Sequence, residues 1–336
     1  MQILLDKSKK FYKANLHCHS NYSDGKLGVE ELKEAYKKNG YSVVAFTDHE
    51  IIINNSRLND DDFLAIVSCE VAIKQFPELS TLVKQDMKVT HLNLYSLDPN
   101  KTTTPFYSKA YCGKYIKDNT RELVKFEDEN YERTYSAEGI NKMIADAKER
   151  GFIVAYNHPN WSLESAADYI NYDGMFAVEI YNSSVAKHYG LSDDEAAFDC
   201  LLRAGKKVFC SAADDNHNQY PFGDIRCASF GGWVSINAEK LEYGEIMTAL
   251  QNGDFYASTG PEIYSLTREG NTVTIECSAA KRILVLANTR HAQVFYAENG
   301  EGITKTTFEL SECDSYFRIR VEDFDGNKAY TQAYKI

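Results

Sequence analysis

One phrase recurs along the chain and restricts the folds open to it: an amphipathic helix, a glycine, a short apolar run, and then a residue of metal-ligand type. It reads VEELKEAYKKNGYSVVAFTDH from Val29, INKMIADAKERGFIVAYNHP from Ile140 and AAFDCLLRAGKKVFCSAADDNH from Ala196. Gly40, Gly151 and Gly205 stand where a helix ends on a left-handed residue, with Lys or Arg in the turn before to complement the helix dipole. The runs that follow are rich in Val, Ile and Phe, the composition of strands buried on both faces. FYKANLH, FLAIVSCE, VTHLNLYSL and MFAVEIYN are further strands of this kind, ending at or near His17, Glu70, His91 and Glu179. Helices alternating with buried strands predict a parallel sheet, and where such units close into a barrel the reacting groups gather at the C-terminal strand ends.

A last phrase, EIMTALQNGDFYASTG, closes this α/β domain at about residue 260, so residues 1–260 form the first unit. From Pro261 the texture changes to short alternating runs such as TVTIEC, RILVLAN, YFRIRVED and KAYTQAYK, with DGN between the last two as a hairpin signal. Residues 261–336 are expected to form a small antiparallel β-sandwich. Residues 98–135, rich in Tyr and Lys, fit neither pattern and are predicted to be an insertion at the ligand-bearing end of the barrel, where long insertions are more often functional than idle.

The chain of 336 residues carries 37 Lys and Arg against 49 Asp and Glu, a net charge of -12. Such a surface repels phosphate backbones at long range, so long nucleic acid is not an expected partner. No run approaches the roughly 18 apolar residues of a membrane span or forms a secretory h-region, and the expectation is a cytoplasmic protein without a membrane partner. The eight cysteines show no C-x-x-C pairing and are expected to be reduced and mostly buried.

Six of the eight histidines, at positions 17, 19, 49, 91, 158 and 217, fall at ends of predicted strands. One such histidine is ordinarily a satisfied surface or core residue; six on one rim are not explained that way. Strand alternation puts His17 and His19 on one face, within reach of a single ion, and turns Cys18 to the other. Asp24 follows in a flexible SDG turn, where it is either a second-turn ligand or an ordinary turn residue. Glu70 ends an apolar strand, where a carboxylate is costly to bury unless it is paired or coordinated, and it can bridge two cations. Asp214 and Asp215 compete for a ligand role on the next strand end; alternation with His217 favours Asp215. Nitrogen and oxygen donors without organised cysteine point to Zn, Mn or Fe, and their number implies two or three ions.

HCHSNYSDG, TDH, the glutamate after an apolar strand, NHP and DDNH, in that order, resemble the motifs of the polymerase and histidinol phosphatase (PHP) family of metal-dependent phosphoesterases, over roughly residues 10–260. The resemblance implies a distorted (β/α)7 barrel with a trinuclear metal centre. It implies one ion held by His17, His19, Glu70 and Asp215, a second bridged by Glu70 to His91 and His158, and a third held by Asp24, His49 and His217. Asp48 would then orient the His49 imidazole, and Asp214, a carboxylate where family members often carry a small residue, would lie just behind the ligands.

The expected reaction is phosphoester hydrolysis of a small phosphorylated metabolite or (oligo)nucleotide, with hydroxide generated on the ions attacking phosphorus and Glu70, Asp215 and His217 nearest the chemistry. Arg226, Lys187 and His188 are candidate phosphate contacts, and Asn157, Asn160 and Tyr181 candidate hydrogen-bonding partners of the substrate. Each has an ordinary alternative as a surface or packing residue. The same ligands would also serve hydrolysis of a carboxylic ester or amide, or a non-catalytic metal-binding role.

Overall fold

Three of the predicted units form as read. In helix Val29–Lys38 the apolar Val29, Leu32 and Tyr36 fall on one buried face, with Glu30 and Glu31 in the first turn and Lys37 and Lys38 in the last. In helix Ala137–Glu149 the Ser136 hydroxyl accepts from Gly139 N at 3.1 Å, and Ile140, Met143, Ile144 and Ala147 are buried. Helix Glu195–Arg203 buries Ala197, Phe198 and Leu201. Each is followed by a glycine at φ +79, +82 and +79°, which ends the helix at Gly40, Gly151 and Gly205 without a Cβ clash. Helices this short are marginal alone, so the buried face against the sheet is what holds them. The computed structural model describes residues 1–76, 87–191, 194–298 and 300–336.

The strands they lead into belong to one large mixed sheet. Lys10–Cys18, Val43–Phe46 and Leu64–Lys74 are parallel neighbours, as are Phe152–Tyr156, Ala177–Asn182 and Phe209–Ala213. Between the two sets, Val89–Ser96 runs antiparallel to both its neighbours, so the sheet is not wholly parallel as expected. A parallel neighbour needs a crossover of a dozen or more residues, usually a helix, whereas an antiparallel one needs only a reversal of the chain. The antiparallel ladder instead runs on to a Gln75 N to Lys88 O bond of 3.1 Å.

At the other end of the set, Asp215 N donates to His17 O at 2.9 Å and His19 N to Asn216 O at 3.1 Å. The residues after Phe209–Ala213 therefore meet the end of Lys10–Cys18.

The C-terminal strands are antiparallel, as their alternation predicts, but they do not stand apart. Trp233–Ala238 and Phe255–Ser258 extend the large sheet from Lys10–Cys18, and Lys328–Tyr330, Tyr316–Glu322, Arg282–Ala287 and Gln293–Tyr296 carry it onward. The DGN segment turns between Tyr316–Glu322 and Lys328–Tyr330, with Asp323 Oδ1 accepting from Asp325 N and Asn327 N. A second sheet takes Ile263–Glu269, Thr272–Ala280 and Ile303–Glu309 together with the N-terminal strand Gln2–Leu5, whose four residues are too few to announce a partner as distant as Leu266–Arg268. Leu5, Leu266, Ile275 and Phe308 share a core with Ile283, Phe317 and Ile319. Buried Arg318 joins this part to helix Glu195–Arg203 through Glu195 and Asp199, each at 2.8 Å.

The segment 98–135 follows the reversed strand, so it leaves from the end of the sheet opposite the clustered histidines, not from the ligand-bearing end. It holds little regular structure: a two-residue parallel ladder between Thr103–Thr104 and Lys125–Phe126, and a helical turn at Lys109–Cys112. Thr104 Oγ1 accepts from Ile52 N at 2.7 Å, and Asn54 Nδ2 donates to Lys101 O at 3.0 Å, which lays the segment along residues 50–55.

Candidate metal centre

Glu70 is the seventh residue of Leu64–Lys74, a strand buried almost throughout, and its two oxygens meet nitrogens from five histidines. Oε1 lies 3.2 Å from His17 Nε2, 3.0 Å from His91 Nδ1 and 3.5 Å from His158 Nε2. Oε2 lies 2.9 Å from His49 Nδ1 and 3.5 Å from His19 Nε2. Asp215 Oδ1 stands 3.2 Å from His17 Nε2 and 3.1 Å from His19 Nε2. Asp24 reaches His49 Nε2 at 3.6 Å, His217 Nε2 at 3.4 Å and His19 Nδ1 at 3.8 Å.

These donors fall into adjoining groups: His17, His19 and Glu70; His17, His158 and Asp215; Glu70, His91 and His158; and His19, Asp24, His49 and His217. The expected ligands are thus brought together, with two departures in the grouping: His19 also faces the Asp24 set through Nδ1, and His158 also falls with His17 and Asp215. Cys18, between the two histidines, packs with Val29, Leu32 and Tyr36 on the other side of its strand.

The chemistry of the set fits divalent cations. His17 Nε2 and both nitrogens of His19 are buried and have no hydrogen-bond partner among the described residues. Such orphans are costly unless something else occupies the space they face. Two donors each about 2.0–2.1 Å from one tetrahedral ion stand about 3.3 Å apart, close to the separations here. Burial opposes ionisation of Glu70, yet His91, His17 and His49 hold its carboxyl well below the usual range. Burial likewise opposes ionisation of Asp215, and His17 and His19 hold it well down. Burial would make the His17 imidazole harder to protonate, but Asp215, Glu70 and Glu179 raise its pKa well above the ordinary value.

Supporting groups fix these side chains. Glu179 Oε1 lies 3.1 Å from His17 Nδ1, and its Oε2 accepts from His158 N at 3.1 Å and Asn182 Nδ2 at 2.8 Å. Asn182 Nδ2 also reaches Asp215 Oδ2 at 3.1 Å. Asn157, expected to contact substrate, donates from Nδ2 to Glu70 Oε1 at 2.7 Å and is itself buried. Carboxylates and amides behind metal-type ligands are what hold tautomer and plane. Glu179 was not expected in the site, although a carboxylate within MFAVEIYN carries the same signal that singled out Glu70.

Asp48 does not orient His49. Its carboxylate accepts from Ser20 N, Ser20 Oγ, Ser23 N and Ser23 Oγ at 2.7–3.0 Å, and so pins the turn that presents Asp24. Asp214 is turned away from the cluster, where Phe230 N, Gly231 N, Gly232 N and Tyr36 Oη donate to it at 2.7–3.0 Å. Burial nonetheless pushes its carboxyl up to about 6. Asp215 is the member that faces the histidines, but strand Phe209–Ala213 has ended and Asp215 sits at φ +50°. Alternation picks the right residue there, although the backbone is no longer a strand.

A cavity of about 780 Å³ opens over the cluster, lined by Asp24, His49, Glu70, His91, His158, Asp215 and His217. Arg226, Lys187 and His188 line it too, joined by Lys74, Lys88 and Lys114, which the sequence did not single out. Arg226 is engaged by Asp224 at 2.7 and 2.9 Å, and Lys187 Nζ donates to Cys227 O at 2.6 Å. Asn160 and Tyr181 are not among the lining residues; Asn160 N bonds Asp194 Oδ1 at 3.1 Å, and Tyr181 packs against Gly232. From the 98–135 segment, the Tyr115 ring stacks on His49 with centroids 5.2 Å apart, and Lys117 Nζ bonds Ser23 O beside Asp24. Arg133 forks onto Glu50, the neighbour of His49, at 2.9 and 2.7 Å.

Residues 15–170 match the family model of the PHP domain. The chain carries a PHP domain. The matched span takes in seven of the clustered candidate ligands, from His17 to His158, and ends before Asp215 and His217. Comparison with curated proteins finds no match. Among solved structures, the PHP-domain chain is similar to a two-domain protein from Bacteroides vulgatus containing a predicted PHP-like metal-dependent phosphoesterase, at 15% identity and TM-score 0.45, covering 99% of this chain and 96% of that one. It is similar also to a candidate metal-dependent phosphoesterase from Bifidobacterium adolescentis, at 15% identity and TM-score 0.37, covering 70% and 96%. A third similarity is to an amidohydrolase from Chromobacterium violaceum with bound sulfate and no metal, at 12% identity and TM-score 0.35, covering 61% and 87%. Among the described residues no helix is long and apolar enough to cross a membrane.

Proposed function

We propose that this protein hydrolyses a phosphoester of a small phosphorylated metabolite or short nucleotide, using two or three divalent ions, Zn, Mn or Fe, held by the clustered histidines and carboxylates. The observation that carries this reading is Glu70, one carboxylate within 2.9–3.5 Å of nitrogens from five histidines, a position that makes sense for a bridge between cations. The meeting of residues 215–216 with His17 and His19 supports reading the seven strands from Lys10–Cys18 to Phe209–Ala213 as a distorted barrel. The core shared by the two C-terminal sheets supports reading residues 261–336 as a sandwich-like second domain after a boundary near 260.

His17, His19, Glu70 and Asp215 would hold one ion, Glu70, His91 and His158 another, and Asp24, His49 and His217 a third. Bound there, the ions would supply Lewis acidity toward phosphate oxygens and an activated water for attack at phosphorus. The chain's own part is placement. Asn157 fixes the plane of Glu70, Glu179 fixes the His17 ring so that Nε2 faces the cluster, and Asn182 fixes Asp215. Lys74, Lys88, Lys114, Lys187 and Arg226 give the cavity a cationic lining on a protein of net charge -12, which favours a compact anion over a long polyanion. A volume of about 780 Å³ suits a small molecule.

The test is turnover of p-nitrophenyl phosphate, bis-p-nitrophenyl phosphate and p-nitrophenyl acetate with added Mn²⁺. Hydrolysis of a phosphoester, lost in Glu70→Ala, is the expected outcome. Activity confined to the acetate would replace this reading with carboxylic ester hydrolysis.

A further inference from the structure

Helix Ser183–Tyr189 carries Ser184 and His188 four residues apart, both lining the cavity over the metal-type ligands. His188 Nδ1 is 3.2 Å from Ser184 Oγ, and His188 Nε2 is 2.8 Å from the backbone oxygen of Arg226. A carbonyl oxygen only accepts, so Nε2 must carry a proton in every protonation state of this ring. In the neutral ring Nδ1 therefore holds the lone pair and accepts a hydrogen bond from the Ser184 hydroxyl. In the protonated ring Nδ1 donates to Oγ and turns the Ser184 O–H outward. The arrangement has the logic of a serine and histidine pair with a backbone carbonyl as the group that fixes the tautomer. Ser184 also sits close to the cluster, because its amide donates to Asp214 O at 2.9 Å, one residue from Asp215.

From this geometry we propose that Ser184 donates the proton to the leaving group, with His188 acting through it as the proton source. The proposal rests on the phosphoesterase reading. As the bond between phosphorus and the leaving oxygen breaks, its electron pair stays on that oxygen, which takes the Ser184 hydroxyl proton. Ser184 Oγ takes the Nδ1 proton of His188, leaving the neutral Nε2–H tautomer on Arg226 O. The attacking water gives up one proton to solvent and supplies the oxygen newly bonded to phosphorus, and His188 regains a proton from solvent at the cavity mouth, so the count of protons is unchanged. Tyr220, whose ring centroid is 5.6 Å from that of His188, and Arg226 frame the imidazole from the facing loop.

Removing a general acid hurts poor leaving groups far more than good ones, and general acids contribute about 10²–10⁴-fold. With the Mn²⁺-loaded protein, Ser184→Ala and His188→Gln should each raise the ratio of kcat/KM for p-nitrophenyl phosphate to that for an alkyl phosphate such as glycerol 2-phosphate, by about a hundredfold. An equal loss on both substrates would reduce the pair to a structural contact within the helix and overturn the proposal. A second readout needs no metal and no turnover: nitrogen-15 shifts of the His188 ring, assigned by their absence in His188→Gln. They should report the Nε2–H tautomer; the Nδ1–H tautomer would also overturn the proposal. If the unsubstituted protein turns over no phosphoester at all, the phosphoesterase reading fails and the relay falls with it, an outcome distinct from an unchanged ratio in an active enzyme.

Discussion

Replacing Arg133 by methionine tests whether the 98–135 segment is held to the ligand-bearing strands by a buried ion pair. The guanidinium side chain has no exposed surface, and the Glu50 side chain is 3% exposed. Arg133 donates to Glu50 Oε1 and Oε2 at 2.9 and 2.7 Å and to the backbone oxygens of Ala72 and Phe106, each at 2.6 Å. Methionine keeps an apolar stem against the Tyr111 ring, which lies 4.2 Å from the guanidinium carbon, so little packing is lost. What remains is a Glu50 carboxylate buried without a counter-charge, its main support the Ala72 N–H at 2.9 Å. Breaking one side of such a pair costs about 3–5 kcal/mol, a large share of the roughly 5–15 kcal/mol that holds a domain. Urea unfolding followed by tryptophan fluorescence, with chelator present so that metal binding does not contribute, should show a loss of that size. Glu50→Gln alone should also destabilise, because it strands the guanidinium. The double variant, with both charges gone, should be at least about 2 kcal/mol more stable than the sum of the single losses predicts. Additivity within about 0.5 kcal/mol would mean that the two side chains do not act as a pair, and would refute the reasoning.

The site itself gives three further expectations. Glu70→Ala should lose more than one ion per chain in elemental analysis, whereas Cys18→Ala should leave metal content nearly unchanged, since Cys18 packs away from the cluster; equal loss in both would mean the strand facing is wrong. Glu179→Gln should weaken metal affinity about 10- to 100-fold by freeing the His17 ring, read by competition with a chromophoric chelator, and unchanged affinity would remove Glu179 from the site. Asp214 makes a pH prediction: burial raises its carboxyl to about 6 from an ordinary 3.8, so the folded protein holds that proton more tightly than the unfolded chain. This group stabilises below about pH 3.8 and the contribution is lost as pH rises through about 6. Compared in chelator with Asp214→Asn, the unsubstituted protein should therefore lose ground between pH 4 and 7, and a constant difference over that range would show that the carboxyl is ionised throughout.

The clustering of the candidate ligands was legible because strand periodicity, apolar flanks and residue type all point the same way at His17, His19 and Glu70. Their supports were less so. Glu179 carried a readable signal, a lone carboxylate in an apolar strand, but Glu50 and Arg133 did not, because an ion pair between residues 83 apart has no local signature. Asp48 was misread for a related reason: adjacency to His49 in sequence says nothing of where a side chain points once the strand has ended. Val43–Phe46 stops before Asp48, and the carboxylate is free to turn to Ser20 and Ser23. The substrate side was least legible, since Asn157 is polar and strand-terminal whether it faces a ligand or, as here, Glu70.

The reversed strand accounts for both the richness of the Glu70 environment and the odd course of the insertion. A parallel neighbour offers the rim only the residues at its C-terminal end, as Val43–Phe46 does in leading to His49, which bridges to Glu70. Val89–Ser96 arrives from the opposite direction, so His91, its third residue, stands at the rim opposite Ala72 while Ser96 lies at the far end beside Phe152. The chain must then return before Phe152 can start the next parallel strand. Residues 98–135 use that return to travel along residues 50–55, where Thr104 bonds Ile52 and Arg133 reaches Glu50. The segment thus comes to the rim from below, placing Tyr115 on His49 and Lys117 on Ser23 O. An insertion that begins far from the ligands touches two of the loops that present them because the strand before it runs backwards. On this argument, shortening the insertion between residues 105 and 130 should disturb the Asp24, His49 and His217 group more than Glu70, His91 and His158, which lie on strands of the sheet or just after one.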